Sequence, residues 1–390
     1  MMQLQRLSSV GLFSYPGKRL APIVSRFKPI CPGLYPSLGI SAGTLASSVN
    51  LNRKPQDDLV RSVPSLPSPP PSPVSSPPLR VVRPLRKLMS YNAQQFYNSG
   101  KGKSIKPLAN VQALAEAIRL EDPDVIALQE VGDRKLLEDF NHKYLNGQYP
   151  SIVTGHVTSN SPMQVAFMSK ANMHVVQSKS HWQEISKTAA YGGKRDFLEA
   201  TFKTDTGYQF TVYNAHCKSM RGSESATMPV RLQEVTNVAQ ILRRHFKREP
   251  KANVFLTGDF NTLHQSPYGK PVIETLTHIR PNATQPDLTE VMLKDGKADP
   301  THSGHGLYPD SKLDYIFVSE PLVTQVTDAY VAGDFNREPW SKASDHRPYV
   351  TVFAEPAVTA KSKKAQPETE EVGKEIGISR SLKRKLDRIA

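Results

Sequence analysis

The chain has 390 residues, 38% of them hydrophobic, enough for one sizeable core; its only two cysteines, Cys31 and Cys217, exclude a disulfide framework. The net charge of +14 is unevenly placed: residues 1–90 hold 12 Lys/Arg against 2 Asp/Glu and residues 356–390 hold 9 against 5, so residues 91–355 carry no net charge. The basic balance therefore describes the ends of the chain, and a polyanion site in the middle has to be a local patch or a metal.

The first 56 residues contain no Asp or Glu, where the chain-wide frequency would give about five, and scatter Arg6, Lys18, Arg19, Arg26, Lys28, Arg53 and Lys54 among serines. That composition reads as an organellar (mitochondrial) transit peptide, with secretion or export and a plain basic arm as alternatives. Residues 57–84 read as a linker, because eight of the 32 prolines fall between Pro64 and Pro78 and favour an extended polyproline-like spacer. No run of about 18 apolar residues appears, so stable membrane insertion is not expected. The protein is expected to be a monomer.

From Leu85 the pattern changes to apolar runs separated by turn chemistry. Arg86 to Tyr91 reads as a strand ending at Asn92, followed by a polar loop over residues 98–106. Leu108, Val111, Leu114, Ala115 and Ile118 then recur at helical spacing as far as Glu121, where Asp122-Pro123 disfavours further helix. Asp124 to Leu128 is the next strand, with Gln129 and Glu130 at its end. Further strands are expected at Ser151 to Val153, Gln164 to Met168, His174 to Gln177, Phe197 to Thr204, Phe210 to Ala215, Asn253 to Thr257, Leu313 to Val318 and Val350 to Phe353. One long helix is expected at Pro229 to Phe246. Many strands and few helices predict an α+β fold: a four-layer sandwich of two packed, mostly antiparallel sheets flanked by helices. No Gly-x-Gly-x-x-Gly or Walker-type loop is present. Residues 85–356 form the expected folded domain. Residues 357–390 read as a charged, disordered tail, whose last ten residues have a basic helical pattern along Leu382, Leu386 and Ile389. Asn282-Ala283-Thr284 is a glycosylation triplet of a kind that arises often by chance.

Polar residues with metal-binding or proton-transfer chemistry recur at the strand ends. Asn92 and Glu130 offer hard oxygen ligands of the kind Mg²⁺ takes. Asn214 and His216 lie two apart and share a strand face, with Lys218 and Arg221 following. Asp259 and Asn261, in Gly258-Asp259-Phe260-Asn261, share a face while Phe260 turns to the core. Asp314 opens a strand and can hydrogen-bond one nitrogen of His346, raising its pKa, and Asp345 can reach a metal from the neighbouring position. Singly, each has an ordinary structural explanation as a cap, turn or core residue.

Taken together and in this order, Asn92, Leu128-Gln129-Glu130-Val131, Asn214-x-His216, Gly258-Asp259-x-Asn261, Leu313-Asp314-Tyr315-Ile316 and Ser344-Asp345-His346 resemble the endonuclease/exonuclease/phosphatase superfamily, which includes the pancreatic-type deoxyribonucleases. The resemblance covers Leu85 to Pro356. It implies two six-stranded sheets packed face to face with the site at one edge. Glu130, Asn92 and Asp345 would then hold Mg²⁺ or Mn²⁺. Asp259 would activate the attacking water beside Asn261. The Asp314–His346 pair would stabilise the phosphate, and His216 would bind phosphate oxygens or assist the leaving group. Asn214, Lys218 and Arg195 would contact substrate, whereas Arg231 and Gln233 are surface or packing residues. Which histidine is the acid stays open.

The superfamily does not name its substrate. The Asn214-Ala215-His216-Cys217-Lys218 run and the Leu313-Asp314-Tyr315-Ile316 ending look most similar to the simpler nuclease-like members, so DNA or RNA is the expected substrate. A phosphoinositide phosphatase or sphingomyelinase-like activity is the alternative, and a catalytically inert binding module the third possibility.

Overall fold

Alternation of apolar residues along the strands requires two buried sheet faces, and the chain meets that requirement with two six-stranded sheets. In this computed structural model the described residues are 83–97, 105–156, 163–186, 195–280, 285–293, 299–304 and 308–357. The expected N-terminal segment, residues 57–82 of the expected linker, the glycosylation triplet and the C-terminal basic helix lie outside them.

The elements follow in the order β1 (Leu85–Phe96), α1 (Leu108–Glu121), β2 (Val125–Val131), α2 (Arg134–Tyr144), β3 (Ser151–Thr154), β4 (Gln164–Ser169), β5 (Met173–Ser180), α3 (Trp182–Ser186), β6 (Leu198–Thr204) and β7 (Gln209–His216). The second part comprises α4 (Glu224–Arg248), β8 (Val254–Asp259), α5 (Lys270–Thr277), β9 (Leu288–Glu290), β10 (Asp314–Ser319), α6 (Glu320–Val323), β11 (Val326–Val331), α7 (Trp340–Ala343) and β12 (Tyr349–Ala354). One sheet has the order β11-β12-β1-β2-β4-β3 and the other β5-β6-β7-β8-β10-β9. Pairing is antiparallel except for β1–β2 and β7–β8, the parallel pair in each sheet.

Three apolar layers separate four structural layers, as the sequence leads one to expect. Between the sheets lie Leu88, Val125, Phe167, Phe202, Val212, Phe255, Ile316 and Phe353. The alternate positions Met89, Tyr91, Ile126 and Leu128 face out against Leu114 and Ile118 of α1 and Leu137 and Phe140 of α2. Tyr213, Val254, Leu256 and Phe317 face out against Val235, Leu242 and Phe246 of α4 and Ile273 of α5. Phe255 stands at the centre of the inner layer, 5.0 Å from the Phe353 ring and 5.9 Å from Phe210. Burial of each such ring contributes about 1.5–3 kcal/mol.

Helix α4 starts earlier than the apolar pattern suggests. The Ser223 hydroxyl accepts from the Ala226 N–H and caps it, so Pro229 lies inside the helix rather than at its start. Strand β1 likewise runs past Asn92 through a bulge between Asn92 and Phe96.

Candidate active site

The inter-sheet face changes from apolar to polar along the central strands. Leu88, Val125, Val212 and Phe255 give way to Ser90, Gln129, Asn214 and Thr257, and then to Asn92, His216 and Asp259, all nine-tenths or more buried. Because β1–β2 and β7–β8 are parallel, these strand ends share one rim; His216 lies opposite Asp259, and Asn92 opposite Gln129. Strand β10 is antiparallel to β8, so its first residue, Asp314, also lies opposite Asp259. Strand order thus assembles residues separated by more than 200 positions.

The floor of the rim ties the two sheets together. The Gln129 amide donates to Asn214 Oδ1 at 2.8 Å, and the Asn214 amide donates to the carbonyls of Leu128 at 2.9 Å and Ala166 at 3.0 Å. Asn214, expected to contact substrate, is fully buried with both its oxygen and its amide nitrogen engaged between the sheets.

Above that floor, Asp259 is the hub. Its Oδ2 accepts from Asn92 Nδ2 at 3.0 Å and from Asn261 Nδ2 at 3.0 Å, while Oδ1 accepts from the Asn261 N–H at 2.8 Å. His216 Nε2 lies 3.5 Å from the same Oδ2, and His346 Nε2 lies 3.9 Å from it. His346 Nδ1 is 2.8 Å from Asp314 Oδ2, the expected pairing. Gly258 permits this approach: a Cβ there would sit 2.0 Å from the Ala215 carbonyl oxygen of the neighbouring strand, and its φ is +141°.

Burial and charge give the two histidines opposite states. His216 is held well below the ordinary imidazole value, first by burial and then by the positive charges of Arg195 and His346. Burial also disfavours the charged form of His346, but Asp314, with Asp259 and Asp345, outweighs it and holds the imidazolium up to about 10. The Asp259 carboxyl is pushed up to about 7, first by burial and then by Asp314.

Glu130 sits on the other side of Asn92. Its Oε1 is 3.5 Å from Asn92 Nδ2 and 3.7 Å from His216 Nε2, and its Oε2 accepts from the Gln95 N–H at 2.9 Å. The half-buried Asp345 lies beside His346, with Oδ1 3.5 Å from the Ser344 hydroxyl. Among the described residues, the group of three potential ligands that lies within 4.8 Å is a different one, Asp259, Asp314 and His346. Asp314 Oδ1 is buried there without a hydrogen-bond partner. Glu130, Asn92 and Asp345 present the hard oxygen donors that Mg²⁺ or Mn²⁺ takes, whereas His346, held charged by Asp314, has no free nitrogen lone pair to offer an ion.

Arg195 donates to the Cys217 carbonyl, which also accepts from Asn261 Nδ2 at 3.2 Å, so Arg195 reaches the loop after His216. Lys218 Nζ donates to the Ser219 carbonyl at 3.0 Å, and its backbone N–H donates to Glu234 Oε2 at 2.7 Å. Arg231 is a packing residue: fully buried, it donates to Thr227 Oγ1 at 2.7 Å and the Glu224 carbonyl at 3.0 Å. Gln233 donates to Asn237 Oδ1 at 3.2 Å along the helix, apart from the site.

Three site residues were not singled out from sequence. The Thr301 hydroxyl accepts from the N–H groups of Leu313 and Asp314, both at 3.0 Å, and fixes the start of β10. The His302 ring packs edge-on to His346 at 4.7 Å. Lys106 is buried and donates to the Gln94 carbonyl at 3.0 Å. All three lie in irregular segments, where no periodicity marks an inward-facing position.

No curated protein matches the chain. Among solved structures, an endonuclease/exonuclease/phosphatase family protein from Bacteroides thetaiotaomicron is similar at 17% identity and a TM-score of 0.50, covering 70% of this chain and 98% of its own. TDP2 from Caenorhabditis elegans is similar at 18% identity and a TM-score of 0.50, covering 70% and 74%. A protein of unknown function from Enterococcus faecalis is similar at 17% identity and a TM-score of 0.50, covering 69% and 100%. These likenesses establish a shared fold. The family description "Endonuclease/Exonuclease/phosphatase family" matches residues 89–346, which include every strand-end residue gathered around Asp259, and the chain belongs to that family.

Proposed function

We propose that the protein is a metal-dependent phosphodiester hydrolase acting on DNA or RNA by in-line attack of an activated water. The observation that carries this reading is the convergence on Asp259 Oδ2 of two amide donors at 3.0 Å and two imidazole nitrogens at 3.5 and 3.9 Å. A carboxylate so placed can orient a water and take its proton, while donors around it hold phosphate oxygens.

In this reading Glu130, Asn92 and Asp345 hold a divalent cation. A bound cation would neutralise phosphate charge and polarise the phosphorus centre. Asp259 accepts the proton of the attacking water as the new O–P bond forms and the opposite P–O bond breaks. Asn261 holds Asp259 in place by donating to both of its oxygens. The charged imidazole of His346, oriented by Asp314, stabilises the developing negative charge and supplies a proton to the departing oxygen. The neutral His216 binds a phosphate oxygen, with Arg195 and Lys218 at the rim toward the substrate chain. Resemblance of the Asn214–Lys218 and Leu313–Ile316 segments to simpler nuclease-like members supports a nucleic-acid substrate.

The test offers the full chain, with Mg²⁺ or Mn²⁺, supercoiled DNA, single-stranded RNA, phosphoinositide and sphingomyelin in parallel. Nicking or shortening of nucleic acid that EDTA abolishes is the expected result. Release of phosphate or phosphocholine with nucleic acid untouched would replace this substrate class by the lipid one.

A further inference from the structure

The metal-side edge of the site rests on an unusual stretch of backbone. Gln94 and Gln95, which follow Asn92 and Ala93, have φ of 42° and 55°, and Glu130 on the neighbouring strand has φ of 59°. The left-handed region costs a non-glycine residue roughly 1–2 kcal/mol, so three such residues persist only where surrounding contacts impose them. Two of those contacts are visible at once: the Gln94 N–H donates to Asn92 Oδ1 at 3.0 Å, and the Gln95 N–H donates to Glu130 Oε2 at 2.9 Å. The bulge therefore grips both side chains expected to face the cation.

The third contact comes from outside the strand. Lys106, two residues before α1, is 8% exposed and donates from Nζ to the Gln94 carbonyl at 3.0 Å. Burying an ammonium is costly unless charges and acceptors compensate it. Burial pushes the Lys106 ammonium down to about 8, and the charges of Asp345 and Glu130 oppose that fall. A simple structural cation would be expected to pair with acids elsewhere. This one donates to the backbone carbonyl of Gln94, in the bulge whose N–H groups hold Asn92 and Glu130.

We propose that Lys106 is a positioning residue whose ammonium, by donating to the Gln94 carbonyl, fixes the bulge that presents Asn92 and Glu130 to a divalent cation. The proposal rests on the metal-dependent reading above, but its geometric half does not require a metal to be bound. A second consequence separates it from a pure charge effect. Removing a positive charge near two carboxylates would by itself tighten cation binding, whereas releasing the bulge loosens it.

The experiment compares full-length wild type, Lys106→Met and Lys106→Arg in three measurements. These are amide hydrogen exchange at Gln94 and Gln95 in EDTA, Mn²⁺ affinity by electron spin resonance of the free ion, and kcat and KM on whichever phosphodiester the wild type cleaves. For Lys106→Met, exchange at the two amides should rise at least tenfold, and Mn²⁺ affinity should fall about tenfold, the range seen when outer-shell partners of metal ligands are removed. Its kcat should drop with little change in KM. Lys106→Arg, which keeps a charged donor, should recover all three to within about threefold. Thermal melting identifies a variant that fails to fold, in which case Lys106→Gln takes the place of Lys106→Met. Unchanged exchange at Gln94 and Gln95, or tighter Mn²⁺ binding in Lys106→Met, overturns the proposal. If the wild type binds no Mn²⁺, the metal-dependent reading fails, and the exchange measurement alone decides the role of Lys106.

Discussion

Asp314→Asn isolates the charge that governs His346. The substitution preserves size, and its side-chain oxygen can still accept from His346 Nδ1, so the change is close to the loss of one negative charge at 2.8 Å. At an effective dielectric constant of about 20, that attraction is about 6 kcal/mol, or roughly four pH units at about 1.4 kcal/mol per unit. Burial, which opposes the charged form, remains. The His346 imidazolium should therefore fall from about 10 to the ordinary imidazole range or below. The sign for stability follows from linkage. A histidine whose folded pKa is raised contributes stability that is fully present below about 6.5 and lost as pH rises through about 10. In EDTA, wild type should lose stability between about pH 7 and pH 10, by about 5 kcal/mol at most, and Asp314→Asn should lose much less. Histidine ring NMR of the full-length protein in EDTA measures the titration, and urea unfolding across the same window measures the linkage. The variant's kcat should drop by roughly 10²–10⁴-fold. A His346 ring that titrates alike in both proteins would refute the electrostatic assignment, even if activity were lost.

Chelation should abolish hydrolysis, and Mg²⁺ or Mn²⁺ should restore it; either ion should also raise the melting temperature, by the equivalent of about 2.7 kcal/mol at a hundredfold excess over its dissociation constant. A melting curve indifferent to both ions would contradict a built cation site. Gly258→Ala should abolish activity and lower stability by several kcal/mol, because the added Cβ meets the Ala215 carbonyl at 2.0 Å and must push Asp259 away from His216; wild-type activity in that variant would show that the strand spacing is not critical. Phe255→Ala, at the centre of the inter-sheet layer, should cost about 3–5 kcal/mol in urea unfolding while leaving the metal requirement intact. A loss below about 1 kcal/mol would mean that this ring does not anchor the layer.

Much of this architecture was legible from residue order alone. Strands such as Val254-Phe255-Leu256 and Tyr315-Ile316-Phe317-Val318 are buried on both faces, and runs of large apolar residues mark them whatever the topology. The site was legible for a related reason: period-two alternation makes a polar residue at the inward position of an apolar strand conspicuous, as with Asn92, His216, Asp259 and Asp314. Edge elements were harder to see. Strand β11 carries only one buried residue, Ala329, and α2 buries Leu137, Phe140 and Asn141 while its remaining face is charged, so neither stands out from its flanks. Asn214 shows the limit of the face argument. It shares a face with His216, but one step down the strand it meets Gln129 and the other sheet's backbone rather than the rim. Lys106 and His302 escaped because their segments follow no repeat, and only the folded chain brings them to Gln94 and His346.

The most direct measurement compares wild type with Asp259→Asn on the nucleic acid in saturating Mg²⁺, after circular dichroism has established that both are folded. Phosphodiester cleavage by the wild type and a loss of at least about 10³-fold in the variant is the expected result, since Asp259 is the group to which the amides and imidazoles converge. Equal rates in the two proteins, or a folded, metallated wild type that leaves every phosphodiester intact, would contradict hydrolysis at this site.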